Sequence, residues 1–380
     1  MQPEFFGKVA GVVELVDTLD LGSSAARCES SSLSACTKLI VEVFNFDYFH
    51  FKSYFMKLYP IKFLPVFSYR LWGGEKLKTV LNKDYSETNI GESWEISDIK
   101  DSETLVKDGF LKGKTLNYLI EEFKGEFLGT KVFNQFGVKF PLLIKFIDAK
   151  KPLSVQVHPS NEIAKERHDS FGKNEMWYVM EADKDAELIV GFDERFDKEN
   201  FDTLVSDGSI LEKMHHEKVA EGDTFYIPTG RVHAIGAGVL LVEIQQTSDI
   251  TYRIFDYNRV DARTGKLRDL HNDLAKDVID FEPQKEYKTS YNRKTNFSNK
   301  LVHSPYFTSN ILFIEGSIKK DYTDLDSFVI FICVDGDLAL ISNHKTYPLK
   351  KGETILLPAA VNTVELISKT KKSKLIEVYI

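Results

Sequence analysis

Apolar residues fall in short bursts along most of this chain, and the bursts have the character of strands. Ala186 to Gly191, Thr224 to Pro228, Val239 to Ile244, Phe328 to Val334 and Thr354 to Pro358 are β-branched or aromatic and are bounded by Gly, Pro or Asp. Many short strands separated by turn signals predict a mainly β chain, a sandwich or a barrel. Helical spacing is rarer. Leu116, Leu119, Ile120 and Phe123 recur at intervals of three and four and predict a helix. Phe201, Leu204 and Val205, then Ile210, Leu211 and Met214, do the same on either side of Asp207 and Gly208. This predicts a helical hairpin, at about residues 194–218, inserted between strands. Residues 267–278 predict one further helix.

The chain also repeats itself. Gly222 to Pro228 matches Gly352 to Pro358: a Gly turn feeds a strand that ends at a Pro, at identical spacing. At the same offset Gly230 falls opposite Ala360, and His233 falls opposite Thr363. The pattern predicts two related β-barrels, with the histidine kept in the first and lost in the second. The first unit is expected at residues 56–280 and the second at 299–380. Residues 281–298, polar and rich in Lys, Tyr and Asn, are expected to link them.

Residues 1–55 read differently. They are Ser-rich, carry Cys28 and Cys36, and have acidic residues interrupting each apolar run, which is not the pattern of a secretory signal. The phrase from Glu14 to Arg27 resembles conceptual translations of transfer-RNA genes, and Met56 reads as a natural start. A non-native or disordered leader is expected there. A net charge of -8 argues against a nucleic-acid partner. Three cysteines make no disulfide framework, and no apolar run is long enough to span a bilayer. A cytoplasmic protein with no membrane partner is expected.

One strand carries chemistry. From Pro152 to Pro159 the chain reads Pro-Leu-Ser-Val-Gln-Val-His-Pro, and alternation puts Ser154, Gln156 and His158 on one face. A Gln and a His two apart on an otherwise apolar strand suit a metal better than a core. Glu175 and His233 can complete the set. Two imidazoles, one carboxylate and one amide oxygen make a divalent-metal site with room for a water or a substrate. Each residue alone has an ordinary reading: a packed histidine, an acid beside a turn, a glutamine bonded within its strand. The combination is far more specific.

Gly222, Pro228, Gly230 and His233 spell the second cupin motif, and Gln156, His158 and Glu175 stand where the first places its ligands. With Tyr69 to Gly74, Gly172 to Tyr178 and Glu243 to Tyr257, they resemble the short bacterial form of the type I mannose-6-phosphate isomerase family. The resemblance runs from about Leu58 to the C-terminus and is densest from Phe140 to Tyr257. It implies two cupin (jelly-roll) β-barrels with a small helical insertion. It implies one zinc ion per chain, held by Gln156, His158, Glu175 and His233, and an essential arginine at Arg253. It places Ser154, Lys173 and Glu243 in the substrate pocket. The activity implied is interconversion of mannose 6-phosphate and fructose 6-phosphate through a cis-enediol, with a small sugar phosphate as the partner.

Elementary chemistry narrows the roles. Arg253 is charged at any working pH, so it suits stabilisation of an enediolate or a phosphate contact rather than proton abstraction. The Lys173 ammonium suits a phosphate or hydroxyl. Glu243 is a candidate base, because burial can raise a carboxylate toward neutrality. A metal-bound water, Lys173 or a histidine also qualifies. Two other functions draw on the same residues: a cupin oxidoreductase with non-haem iron, and a non-catalytic sugar-phosphate-binding cupin. Trp177 and Tyr178 read as core, Trp94 as a candidate for the pocket mouth, and His215 and His216 as the surface of the helical insert.

Overall fold

Strand patterning dominates the molecule, as the apolar bursts predict. The structure, a computed structural model, describes residues 57–195 and 198–380, so the expectation about residues 1–55 lies outside the described residues. The strands that matter here are β1 Val66–Gly74, β2 Ile90–Ile96, β3 Leu142–Ala149, β4 Val155–Val157, β5 Glu175–Ala182 and β6 Glu187–Phe192. They continue as β7 Met214–Lys218, β8 Thr224–Ile227, β9 His233–Ile235, β10 Val239–Gln246 and β11 Tyr252–Phe255. One sheet runs β8-β5-β10-β3-β1-β2 and a second runs β11-β4-β9-β6-β7. Ile147, Trp177, Phe225 and Leu241 of the first sheet meet Leu188, Val190 and Ile235 of the second in one buried cluster. The two sheets therefore face each other across an apolar core.

The same plan recurs after residue 298. Strands β12 Ser298–His303, β13 Thr308–Ile314, β14 Ser317–Asp321, β15 Val329–Asp335 and β16 Asp337–Ser342 are followed by β17 Lys345–Lys350, β18 Thr354–Leu357, β19 Thr363–Ser368 and β20 Ser373–Tyr379. They form sheets ordered β12-β13-β20-β15-β18 and β14-β19-β16-β17. The order β8-β5-β10-β3 thus returns as β18-β15-β20-β13, and β4-β9-β6-β7 returns as β14-β19-β16-β17. The short Gly-to-Pro match is the visible remnant of a whole-unit duplication of topology. Thr363, opposite His233 by sequence offset, opens β19 with its side chain exposed, and Val364 beside it enters the core. All of these sheets are open, and none closes on itself into a barrel.

The helical insert is shorter than its periodicity suggests. Phe201–Asp207 is a helix that ends on Gly208 at φ +81°, and Ser209–Lys213 is a single 3-10 turn. Met214–Lys218 is not helical but β7, paired along β6. Met214 satisfies both a helical and an alternating pattern, and the open edge of β6 offers backbone groups that a strand can pair. His215 and His216 therefore lie on a strand, against Asp193 at 2.6 Å and Glu187 at 2.8 Å. The insert packs Phe201, Val205 and Ile210 onto Val155, Val157 and Ala234, the outer face of the second sheet.

The expected helix at 116–123 forms, with the Thr115 hydroxyl accepting from the Tyr118 amide as its cap. The one expected at 267–278 shrinks to Asn272–Lys276, because Lys266–Leu267 pairs with Val260–Asp261 as a ribbon. The helix Asn161–His168 is invisible to periodicity, since it buries only Ala164; Ser160 caps it. Within residues 281–298, Lys288 and Tyr291 meet Phe225 and Gly222 of the first unit, and Thr295 and Asn296 meet Phe313 of the second. Tyr287 is buried there, its hydroxyl donating to the Phe192 carbonyl at 3.0 Å.

Candidate metal centre and its pocket

Strand register brings the candidate ligands together. Gln156 on β4 stands beside both His233 on β9 and Arg253 on β11. Glu175, the first residue of β5, stands opposite Ile227 at the end of β8. Gly230 makes the turn between β8 and β9 at φ +85°, where its amide donates to the His158 carbonyl at 2.9 Å. A Cβ on Gly230 would lie 2.9 Å from the Val278 carbonyl oxygen, so the turn demands glycine.

The ligand atoms converge. Nε2 of His158 lies 3.6 Å from Oε2 of Glu175, and Nε2 of His233 lies 3.4 Å from Oε1. The Gln156 amide nitrogen lies 3.3 Å from Nε2 of His233, and a half-turn of that amide presents its oxygen instead. Bonds of about 2.0–2.1 Å at tetrahedral angles set ligand atoms about 3.3 Å apart. Both histidines are turned the right way: Nδ1–H of His158 donates to the Ile250 carbonyl and Nδ1–H of His233 to the Arg231 carbonyl, each at 2.9 Å. Those bonds fix the tautomer that leaves Nε2 as a lone pair.

The burial of this group suits a bound cation. His158 is 1% exposed, and Glu175 and His233 are 0% exposed. Nε2 of His158 and both Glu175 oxygens make no well-formed hydrogen bond, although the Lys173 ammonium ion-pairs with Oε2 at 3.3 Å; such buried polar atoms are rare and costly. Burial holds both imidazoles well below their usual range, His233 to about 4, so they are neutral. Burial also pushes the Glu175 carboxyl up, against the pull of Lys173 at 3.3 Å. Among the described residues His158, Glu175 and His233 are the group of His, Cys, Asp and Glu side chains placed to hold a metal ion. The donor set and its spacing fit a divalent ion.

A cleft of about 400 Å³ opens beside this centre, and Ser154, Gln156, Lys173, Glu243 and Arg253 all line it. Sequence reasoning missed several others on its walls: Arg70, Glu92, Lys145 and Arg268. Lys145 had a legible signal, a lone cation in the buried run Leu142–Ala149; Arg268 had none. Most of the cations are paired. Arg70 meets Glu92 at 2.8 Å, Lys145 meets Glu243 at 3.0 Å, and Arg268 meets Asp256 at 2.5 Å. Arg253 is different. Its Nε donates to Ser154 Oγ at 3.2 Å and its Nη1 to the Asp269 carbonyl at 2.8 Å, and among the described residues no carboxylate pairs with it. Burial and the neighbouring Arg268 disfavour its charge, yet a guanidinium keeps its proton.

Glu243 corrects one expectation. Its pKa is lowered, not raised: burial alone would lift it, but Lys145 and Lys173 outweigh burial. Glu92 is held at about 2, where Arg70 and Lys145 overcome burial. Glu243 and Glu92 are therefore ionised. Burial works against the charge of Lys173, but Glu175, Glu243 and Glu92 hold its pKa above the usual range.

The chain has known relatives. A family described as phosphomannose isomerase type I, catalytic domain, matches residues 61–194, and one described as mannose-6-phosphate isomerase, cupin domain, matches residues 298–380. Mannose-6-phosphate isomerase ManA of Bacillus subtilis is 36% identical over 315 residues, covering 81% of this chain and 95% of that protein. Mannose-6-phosphate isomerase of Streptococcus mutans is 34% identical over 295 residues, covering 77% and 90%. The crystal structure of the mannose 6-phosphate isomerase from Bacillus subtilis superposes with a TM-score of 0.77 at 31% identity, covering 85% of this chain and 100% of that one. A putative mannosephosphate isomerase from Archaeoglobus fulgidus shares the fold, with a TM-score of 0.68 at 23% identity.

Proposed function

The chain belongs to the type I phosphomannose isomerase family, and from that premise we propose that it interconverts mannose 6-phosphate and fructose 6-phosphate with one zinc ion and a cis-enediol intermediate. Gln156, His158, Glu175 and His233 would hold the zinc. When bound there, zinc supplies Lewis-acid polarisation of the substrate's carbonyl and hydroxyl oxygens. The buried cluster of His158, Glu175 and His233, beside a cleft where Arg253 has no carboxylate partner among the described residues, carries this reading. We further read the two facing sheet pairs as two cupin jelly rolls, the metal-holding one at residues 56–280 and the other at 299–380.

The chain's own side chains supply the rest. Isomerisation takes the proton from C2 of the open aldose and returns it to C1, while the hydroxyl proton passes from O2 to O1. Glu243 is assigned to the C2 proton. Held ionised, it is ready to accept, but a carboxylate of low pKa is a weak base. The barrier must therefore fall mainly through stabilisation of the negative charge that develops on the two oxygens. Arg253, without a carboxylate of its own, is assigned to that charge or to the phosphate, with Ser154 fixing its Nε. The Lys173 ammonium, kept charged by its acidic neighbours, is assigned to a substrate oxygen.

Two histidines and a carboxylate also suit non-haem iron. Lys173 and Arg253 on the cleft wall fit an anionic substrate such as a sugar phosphate, which favours the isomerase reading. A coupled assay is the test. Mannose 6-phosphate is expected to yield fructose 6-phosphate without oxygen consumption. Binding without isomerisation, or turnover that requires oxygen, would overturn the proposal.

A further inference from the structure

We propose that Trp177 is a positioning residue for proton transfer, acting through Glu243; this rests on the assignment of Glu243 to the C2 proton. Trp177 lies on β5 directly across from Glu243 on β10. Its indole N–H donates to Oε2 of Glu243 at 3.2 Å, while Lys145 donates to Oε1 at 3.0 Å. Each carboxylate oxygen is gripped by a different donor, so the group cannot turn about its last bond. The same indole stands edge-on to the His233 ring, with centroids 5.3 Å apart and planes at 77°. Two residues along the strand from Glu175, it shares that residue's face. One rigid aromatic thus holds the base and braces a metal ligand.

Packing alone does not account for an indole here. Trp177 is 0% exposed, and a buried N–H needs an acceptor to offset its lost hydration. The second unit supplies an internal comparison. There Phe331 lies across from Glu377 on β20 and beside Ile355 on β18, just as Trp177 lies across from Glu243 and beside Phe225. Phe331 is equally buried. Register puts Val329 where the first unit has Glu175: Val329 faces Leu357, the last residue of β18, as Glu175 faces Ile227, the last of β8. Glu377 draws its hydrogen bonds from Tyr322, Ser298 and Asn310, and an ion pair from Lys320, none of them across the β15 register. So this core accepts phenylalanine at the position. The N–H donor occurs in the unit that has the ligand cluster, and it points at the carboxylate assigned to chemistry.

The test is Trp177→Phe, with Glu243→Gln and the double variant. Trp177→Phe is expected to lower kcat by about tenfold to a hundredfold, a part of the ~10²–10⁴ that a positioned acid–base group contributes. KM is expected to stay within about twofold, because a positioning residue of this kind does not touch substrate. Bound metal per chain should be unchanged. In the Glu243→Gln background, Trp177→Phe should cost less than about a further twofold, since the two act as one unit. An unchanged kcat in Trp177→Phe overturns the proposal, as does a loss that tracks lost metal, or losses that multiply in the double variant. Should the phenylalanine variant fold poorly, benzothienylalanine at position 177 keeps the bicyclic shape, puts sulfur in place of the donor N–H, and must give the same kcat loss. If Glu243→Gln alone retains wild-type kcat, the assignment of Glu243 fails, a result separable from a normal Trp177→Phe beside an impaired Glu243→Gln.

Discussion

Glu175→Gln is expected to leave a folded chain that binds no metal and has lost more than about a thousandfold in kcat, beyond the ~10²–10³ typical of removing a single electrostatic contact. Glu175 is the only anion in the ligand set, so the variant removes the charge that draws a divalent ion into a site 0% exposed. The direction of the stability change is the sharper check. Burial raises the Glu175 pKa to about 8 in the metal-free fold, above its ordinary value of 4.5. An acid with a raised folded-state pKa disfavours the fold once it ionises. Metal-free wild type should therefore lose stability as pH rises from about 4.5 toward 8, and Glu175→Gln should not. With metal the order reverses, because an ion that binds only the folded chain stabilises it in proportion to occupancy. Thermal melts of both proteins, with and without chelator, across that pH range read the effect. A Glu175→Gln protein that retains metal would contradict the ligand assignment.

Arg253→Ala is expected to lower kcat/KM by about 10²–10³, or ~3–4 kcal/mol of transition-state stabilisation. The reason lies in its neighbours. Arg70, Lys145, Lys173 and Arg268 already have carboxylates at 2.8, 3.0, 3.3 and 2.5 Å, so none is free to replace it. Asp256 is shared by Arg259 and Arg268, and among the described residues no carboxylate ion-pairs with Arg253 on the cleft wall. Arg253→Lys should recover only part of the loss, because an ammonium cannot reproduce the planar fork that meets Ser154 and a substrate anion together. The variant should stay folded, with a small loss of stability, since the side chain's bond to the Asp269 carbonyl goes while the backbone amide of residue 253 still bonds His271. Steady-state kinetics with a melt as control checks this. Wild-type kcat/KM in Arg253→Ala would remove the arginine from the mechanism.

What was legible in the sequence was either a polar side chain where packing alone would not put one or a turn that tolerates few residues. Gln156 and His158 break an apolar strand, and Gly230 sits where a Cβ would strike the Val278 carbonyl. The duplication was legible from a single Gly-to-Pro match, because turns constrain residues more tightly than strands do. What escaped depends on contacts far apart in sequence. The depressed pKa of Glu243 comes from Lys145, 98 residues away, and from Lys173. The helix Asn161–His168 buries too little to leave a pattern. Met214–Lys218 reads as helix locally and becomes strand because β6 presents an open edge. Trp177 looked like core and is core; only the structure aims its N–H at Glu243.

The central claim is that a single metal ion at Gln156, His158, Glu175 and His233 makes this fold a mannose 6-phosphate isomerase. Titrating zinc into chelator-stripped protein while following conversion of mannose 6-phosphate tests it most directly. The account predicts no activity in the stripped chain and a linear return that breaks at one zinc per chain. Isomerisation by the stripped chain, or no return of activity with zinc, would contradict it.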